Sequence, residues 1–297
     1  MSGLDLGSCR EKWTLQYLKD CINVNRLVCG ELSDRVAAAN FLQVVIHQAQ
    51  SDRMNFLSKN FSYVTRRWHD FLDQVDEGER VYLRSLSAEQ PIQRPADLAR
   101  DFPEIAGEFQ LPPALSFVKE HAHSSPLRIS GPVALWLHYD VMANVLCQVR
   151  GQKRLVLYAP SEVRSLQIPA GATSSHLDVF DDATGAYPPL NNAPRHEANL
   201  EPGDVLYIPP LWAHAAAPTQ GPSIAVNVFF RNLSDGYAAG RDVYGNRDLQ
   251  AYEKGRLEIA RLVRSFAPLP GDVRRFYLER LSDELLCLAH EPASSPS

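Results

Sequence analysis

His138-Tyr139-Asp140-Val141-Met142-Ala143-Asn144-Val145-Leu146-Cys147-Gln148-Val149-Arg150-Gly151-Gln152-Lys153 reads as a strand, a second strand, a turn and the start of a third. Apolar and β-branched residues predict strands over 133–139, 143–149 and 153–158, and Arg150-Gly151 has the make-up of a two-residue hairpin turn. Outward from this stretch the pattern repeats at 196–200, 204–208 and 223–230. Short strands at such spacing predict a sandwich or barrel between Leu127 and Leu233. The polar segment from Pro169 to Pro194, rich in Gly, Pro, Asn and Asp, predicts a long insert over that barrel.

On either side the pattern changes. Leu32 to Gln50 holds a short helix pattern running into a strand at Phe41–Ile46, Trp68–Val75 has helical spacing, and Arg80–Leu86 suits another strand. Residues 87–126 read as loops with one short helix near Pro95 to Arg100. Beyond Asp235, Leu249–Phe266 and Gly271–Leu288 carry apolar residues at three- and four-residue spacing, separated by Pro268-Leu269-Pro270. The expected organisation is an N-terminal α/β flank (1–126), a β core (127–233), a C-terminal helical region (234–290) and a disordered tail (291–297). The fold class is mixed and mainly β.

At 297 residues, 45% apolar and 22% charged, the chain can bury a globular core, and its composition argues against global disorder. The net charge of −5 argues against indiscriminate coating of nucleic acid. Cys9, Cys21, Cys29, Cys147 and Cys287 form no Cys-x-x-Cys pair, and their odd count points to reduced thiols inside the cell. The amino terminus lacks a secretory pattern, and no uncharged run is long enough to cross a bilayer. A cytoplasmic protein is expected.

His138 and Asp140 stand at i and i+2, so on a strand both side chains point to one face and Tyr139 to the other. With His214, in Gly203-Asp204-Val205-Leu206-Tyr207-Ile208-Pro209-Pro210-Leu211-Trp212-Ala213-His214, they make two imidazoles and a carboxylate. That set can hold one face of an octahedral ion and leave three adjacent positions open, as in non-haem Fe(II) oxygenases. If Arg150-Gly151 turns a hairpin, Gln148 faces Lys153, and Lys153 falls on the face of Asn144 and the metal ligands. A buried ammonium needs an anion. 2-Oxoglutarate supplies one: its keto-acid end would chelate iron, its far carboxylate would meet Lys153, and O2 would take the remaining position. Asn144 would donate to the metal-side carboxylate. Asn227, a polar residue in the apolar strand Ile224–Phe230, needs a partner and leans to the same pocket. Against this, His-x-Asp arises by chance, most lone histidines are core residues, and His121-Ala122-His123 reads as such a coincidence, a polar pair in a loop. Trp212 reads as packing.

The runs Leu127–Pro160 and Leu200–Arg231 resemble the JmjC-type iron- and 2-oxoglutarate-dependent hydroxylases. Closer still, five stretches look like the tRNA wybutosine hydroxylases, which act on a hypermodified guanosine beside the anticodon of phenylalanine tRNA. They are Phe56-Leu57-Ser58-Lys59-Asn60-Phe61, Tyr82-Leu83-Arg84-Ser85-Leu86, His138 to Asn144, Gly203 to Pro209 with Leu211 to His214, and Tyr244-Gly245-Asn246. The resemblance implies a double-stranded β-helix (a jelly-roll, cupin-like fold), iron on His138, Asp140 and His214, and 2-oxoglutarate on Tyr82, Asn144 and Lys153 with Asn227 nearby. It also implies hydroxylation of a C–H bond coupled to decarboxylation of the cosubstrate to succinate and CO2, and a homodimer through the C-terminal helices. Family members carry further sequence, including a flanking strand, before the segment matching Asp5–Cys9. Here Met1 stands close to it, which implies a shortened sheet edge or a late-assigned start.

A tRNA substrate predicts basic surface near the pocket. Between 254 and 280 seven basic residues stand against three acidic ones. Arg66 and Arg67 form another small cluster, and Arg128 opens the strand leading to the triad. Arginines on an exposed helical face are also ordinary solvation. With the resemblance, recognition of the anticodon loop of tRNA(Phe) leads, since unpaired bases can be splayed into a pocket. A protein side-chain hydroxylase on the same scaffold is the alternative, favoured by acidic charge at the pocket mouth. A non-catalytic scaffold is disfavoured by the joint presence of Lys153 and all three ligands.

Overall fold

Two long strands carry the site, and their sequence shows how. In β7 (Ala143–Tyr158) and β10 (Ala213–Phe230), apolar residues alternate on both faces, so each strand is buried on both sides. The structure, a computed structural model, describes residues 1–22, 42–88, 90, 91, 93–180, 193–231 and 243–290. The helix pattern expected over 32–41, much of the 169–194 insert, Cys29 and the 291–297 tail lie outside these residues.

The other strands are β1 (Gln43–Ala49), β2 (Phe61–Arg67), β3 (Val81–Arg84), β4 (Ala122–Ser124), β5 (Leu127–Ser130), β6 (Leu135–Tyr139), β8 (His196–Leu200) and β9 (Val205–Ile208). All pair antiparallel in one sheet of order β2-β1-β3-β5-β10-β7-β8, with β4 and β6 also on β10 and β9 on β7. The expected jelly-roll architecture is present, mainly antiparallel β with added helices.

The flank contributes α1 (Cys9–Lys12), α2 (Leu15–Cys21), α3 (Trp68–Asp76), α4 (Leu98–Asp101), α5 (Pro103–Ala106) and α6 (Ser116–Glu120). α3 forms where Trp68, Phe71, Leu72 and Val75 fall on one helical stripe, and all four are buried. Thr14 caps α2 by accepting the Tyr17 N–H at 3.0 Å, and Asp97 caps α4 by accepting that of Arg100 at 2.8 Å. These helices close one core against the outer face of the sheet, where Val145, Cys147, Val226 and Val228 point. Met1 to Leu4 run beside β9: Val205 donates to the Met1 carbonyl and Leu4 to that of Gly203, each at 2.9 Å. Contacts divide the chain into two units, Met1–Asp248 and Leu249–Ser297. The second holds α7 (Gln250–Ser265) and α8 (Gly271–His290). No helix among the described residues is long and apolar enough to cross a membrane.

Several expectations are corrected. Arg150-Gly151 is no hairpin turn: β7 runs straight through it, paired with β10 on both sides. Gly151 instead sits in a bulge, with φ +70°, and a Cβ there would stand 2.3 Å from the Pro222 carbonyl oxygen. β10 likewise extends back through 213–222, ahead of the strand expected over 223–230; at Pro218, Gly221 and Pro222 the register slips instead of the pairing ending. The 87–126 stretch contains three short helices, a 3-10 turn at Pro113–Leu115 and β4, more than the one helix expected. β4 takes in Ala122 and His123, so that pair is half in a strand, held by Phe229 and Phe230. β1 begins at Gln43, two residues later than expected.

Candidate metal and cosubstrate site

The bulge has a consequence for which residues face inward. Before Gly151, Asn144, Leu146 and Gln148 share one face; after it, Lys153, Leu155 and Leu157 do. Residues opposite each other in an antiparallel pair share a face. Asn227 lies opposite Leu146, Ala216 opposite Leu155, and His214 opposite both Leu157 and His138. Leu146, Leu155, Leu157, Ala216 and Ala225 form a single buried cluster. Val156, Tyr158, Ala213, Ala215 and Leu137 form another on the reverse side. Lys153 therefore reaches the face of the His138–Asp140–His214 cluster, as parity had required, but through a bulge. Gln148 pins that bulge: its amide nitrogen lies 2.7 Å from the Arg150 carbonyl oxygen and 3.0 Å from Ser223 Oγ.

The three ligand candidates converge. One donor atom each from His138, Asp140 and His214 lies within 4.8 Å of the others. His214 Nε2 stands 3.7 Å from Asp140 Oδ2, and the two imidazole centroids are 4.5 Å apart. The ring orientations are fixed alike: His138 Nδ1–H donates to the Trp136 carbonyl at 2.9 Å, and His214 Nδ1–H to the Trp212 carbonyl at 3.0 Å. Each Nε2 is thereby left with its lone pair for an ion. Burial, and next the neighbouring His214, hold the His138 pKa down at about 4, so its ring stays in the neutral, metal-binding form. Leu211, at φ +64°, donates its N–H to the Asp140 carbonyl at 2.8 Å, tying the Pro209–Leu211 turn to the other ligand segment. Met142 donates to Gly245 at 3.2 Å, which docks the Tyr244-Gly245-Asn246 turn behind the same loop. Tyr139 points away, its hydroxyl donating to Asp248 at 2.9 Å. The start of the insert borders β6, where Tyr139 donates to Thr173 and Ser175 to Leu137, each at 2.9 Å.

Beside the triad lie polar groups that the protein alone leaves unmatched. Asn227 Nδ2 donates to Asn144 Oδ1 at 2.8 Å, while Asn227 Oδ1 is buried without a partner. Lys153 is 5% exposed, and its ammonium meets no acceptor among the described residues. Burial, with Arg128 adding to it, lowers its pKa to about 7. Tyr82 is buried, and its hydroxyl accepts from the Arg128 guanidinium, whose Nε is itself buried and unpartnered. Unmatched buried polar atoms are rare in a finished core. The donors among them, the Lys153 ammonium and the Arg128 Nε–H, fit a bound dicarboxylate.

Arg128 is half-buried, its guanidinium turned against Tyr82. Arg84, not among the sequence candidates, joins it. Opposite Arg128 on β3, it donates to the Tyr244 carbonyl at 2.7 Å, and burial lowers its pKa to about 10. Its parity with Tyr82 was the available signal. Arg66 turns to the other side of β2 and bonds Gln48 at 3.2 Å; Arg67 is exposed at the far end of that strand. Neither is brought to the triad.

Comparison with known proteins agrees with this architecture. The cupin-like domain family matches residues 3–236. The tRNA wybutosine-synthesizing protein 4 of Emericella nidulans is 55% identical over 282 residues, covering 95% of this chain but 25% of that protein. Human tRNA wybutosine-synthesizing protein 5 is 35% identical over 292 residues, covering 95% of this chain and 86% of its own. The zebrafish (Danio rerio) protein of the same name is 37% identical over 287 residues, with 93% and 81% covered. The chain spans about a quarter of the length of the fungal relatives. It belongs to the cupin-like domain family, in the group that includes the tRNA wybutosine-synthesizing proteins 4 and 5.

Proposed function

We propose that the chain is an Fe(II)- and 2-oxoglutarate-dependent oxygenase that hydroxylates the side chain of wybutosine, the modified guanosine next to the anticodon of tRNA(Phe). The observation that carries this is one inward face holding the His138–Asp140–His214 triad together with an unpaired, buried Lys153. When bound, iron with 2-oxoglutarate and O2 supplies the oxidant for a C–H bond, the cosubstrate leaving as succinate and CO2. The chain's own work is placement. His138, Asp140 and His214 hold the ion from one side, Lys153 and Tyr82 take the distal carboxylate, and Asn144 with Asn227 orients the keto-acid end. The leucines around the pocket exclude water.

The relatives' names point to wybutosine synthesis. The exposed Lys59, held beside the Phe56 and Tyr63 rings, suits an anionic substrate better than a basic protein segment. The test is mass spectrometry of tRNA(Phe) nucleosides after incubation with the protein, Fe(II) and 2-oxoglutarate. Wybutosine or its precursor gains one oxygen, and only when both are supplied; a substrate that gains none ends this reading.

The exposed apolar residues Leu257, Ile259, Phe276, Leu285 and Leu288 of α7 and α8 would suit burial in a homodimer. Light scattering on the full chain is expected to give twice the monomer mass; a monomer at micromolar concentration would exclude this. The four described cysteines are unpaired, which suits the reducing cytoplasm.

A further inference from the structure

The motif Phe56-Leu57-Ser58-Lys59-Asn60-Phe61 has no part in holding iron or a keto acid, yet its conformation is tightly fixed. Asn55 Oδ1 accepts the N–H groups of Leu57 and Ser58 at 3.0 Å each. Asn60 Oδ1 accepts that of Asn55 at 2.7 Å, and its amide donates to the Arg53 carbonyl at 2.7 Å. Between them Lys59 is held at φ +54°, a strained value for a side chain with a Cβ. The result is to lay its ammonium 3.5 Å from the Phe56 ring centroid and within 5.8 Å of that of Tyr63. No acidic group pairs with it among the described residues.

The rings under that cation form a wall that leads to the metal. Phe61 stacks on Trp136 with an interplanar angle of 3° and centroids 5.3 Å apart. Trp136 lies two residues before His138 on the same side of β6, with ring centroids 5.9 Å apart. At the other end, Tyr63 lies opposite His47 in the β1–β2 ladder, their rings 4.8 Å apart. Tyr63 is 56% exposed, so core packing does not account for it. Burial keeps His47 neutral, with a pKa of about 4, between the positive charges of Arg84, Arg128 and Lys59.

We propose that this wall is a stacking platform for the substrate's nucleobase, with Tyr63 as the exposed face of the stack and Lys59 on the adjoining backbone phosphate. The proposal rests on the tRNA reading above and says how the base is held. Unpaired bases are gripped on aromatic faces, and phosphates by nearby cations. An aromatic wall that ends at a metal ligand would hold a base with its substituent aimed at the triad. A cationic rim disfavours a basic peptide at the same place.

The test measures binding of the full chain to an RNA hairpin of anticodon-loop sequence by fluorescence anisotropy. The nucleotide 3′ to the anticodon is either guanosine or an abasic site. The wild type is expected to prefer the guanosine hairpin by about 5- to 150-fold, the range of one base–aromatic stack. Tyr63→Ala abolishes the preference and Tyr63→Phe keeps it. Tyr63→Leu, which preserves apolar packing without a ring, loses it as Ala does, so a misfolded alanine variant leaves the test intact. Lys59→Ala weakens both hairpins alike and lowers the salt slope by about one. If the wild type binds both hairpins equally, or Tyr63→Leu retains the preference, the platform is wrong while the tRNA reading stands. If the wild type binds neither hairpin, the tRNA reading fails and the platform falls with it.

Discussion

Replacing His138 with alanine is expected to abolish iron-dependent turnover while leaving the fold in place. Loss of a hydrogen-bond partner behind a metal ligand already costs about 10- to 100-fold in affinity or activity; loss of the ligand itself exceeds that. His138 is half of the imidazole pair, and its Nδ1–H bond to Trp136 ends on a backbone carbonyl, so deleting the ring breaks no hydrogen bond to another side chain and otherwise removes only its packing against His214 and Trp136. Nor does it touch the Leu211 bond to the Asp140 carbonyl that joins the two ligand segments. The melting temperature of the metal-free variant is therefore expected within a few degrees of the wild type. Fe(II) titration by calorimetry and succinate release from 2-oxoglutarate give the readouts. Retained turnover would overturn the ligand assignment, and a collapsed melting transition would show that the ring holds the fold. Asp140→Asn, which keeps the shape and removes the charge, is a milder companion with the same expected loss of iron.

The triad was legible because its two parts are local: a strand places i and i+2 on one face, and a single motif carries His214. Lys153 was legible for a reason that proved half right. A two-residue turn and a one-residue bulge both use glycine at positive φ, and both invert the parity of the residues beyond them. Residues 150 and 151 alone do not separate them. The choice is made by β10, whose Ile224 and Gln220 pair on either side of the bulge from some seventy residues away. The same non-local pairing hid the strand at 213–222, since proline and glycine there read as breaks until a partner with matching irregularity is present. The contact of Arg128 with Tyr82 was not legible: sequence supplies its charge but not its neighbours, and the register of β3, β5 and β10 sets those. The helices α7 and α8 needed no such partner to be seen, because their periodicity is contained in the segment itself.

Lys153→Met is expected to move stability and cosubstrate affinity in opposite directions, a result that a merely structural lysine would not give. In the folded protein the ammonium is buried without an anion, and its pKa falls from the ordinary 10.5 to about 7. The unfolded chain keeps the proton up to 10.5, so between these values it binds more protons than the native state. Stability of the ligand-free wild type therefore rises as pH increases from about 7 to 10.5 and is lowest below 7, where the buried charge is fully present. Methionine has similar bulk and no charge. Replacing buried charges with apolar groups of like volume stabilises proteins by about 1–4 kcal/mol. The variant should melt several degrees higher at pH 6.5 and lose most of the rise with pH. Binding changes the other way. A dicarboxylate that pairs with Lys153 raises its pKa, so the wild type takes up protons on binding 2-oxoglutarate at pH 8. Truncating one partner of such a buried pair costs about 2–5 kcal/mol, or roughly 30- to several-thousand-fold in affinity. Thermal melts across pH, with and without 2-oxoglutarate, and calorimetry in buffers of different ionisation enthalpy measure both sides. A variant that melts lower than the wild type, or binds 2-oxoglutarate within twofold of it, would remove Lys153 from the cosubstrate site and leave the triad without its distal anchor.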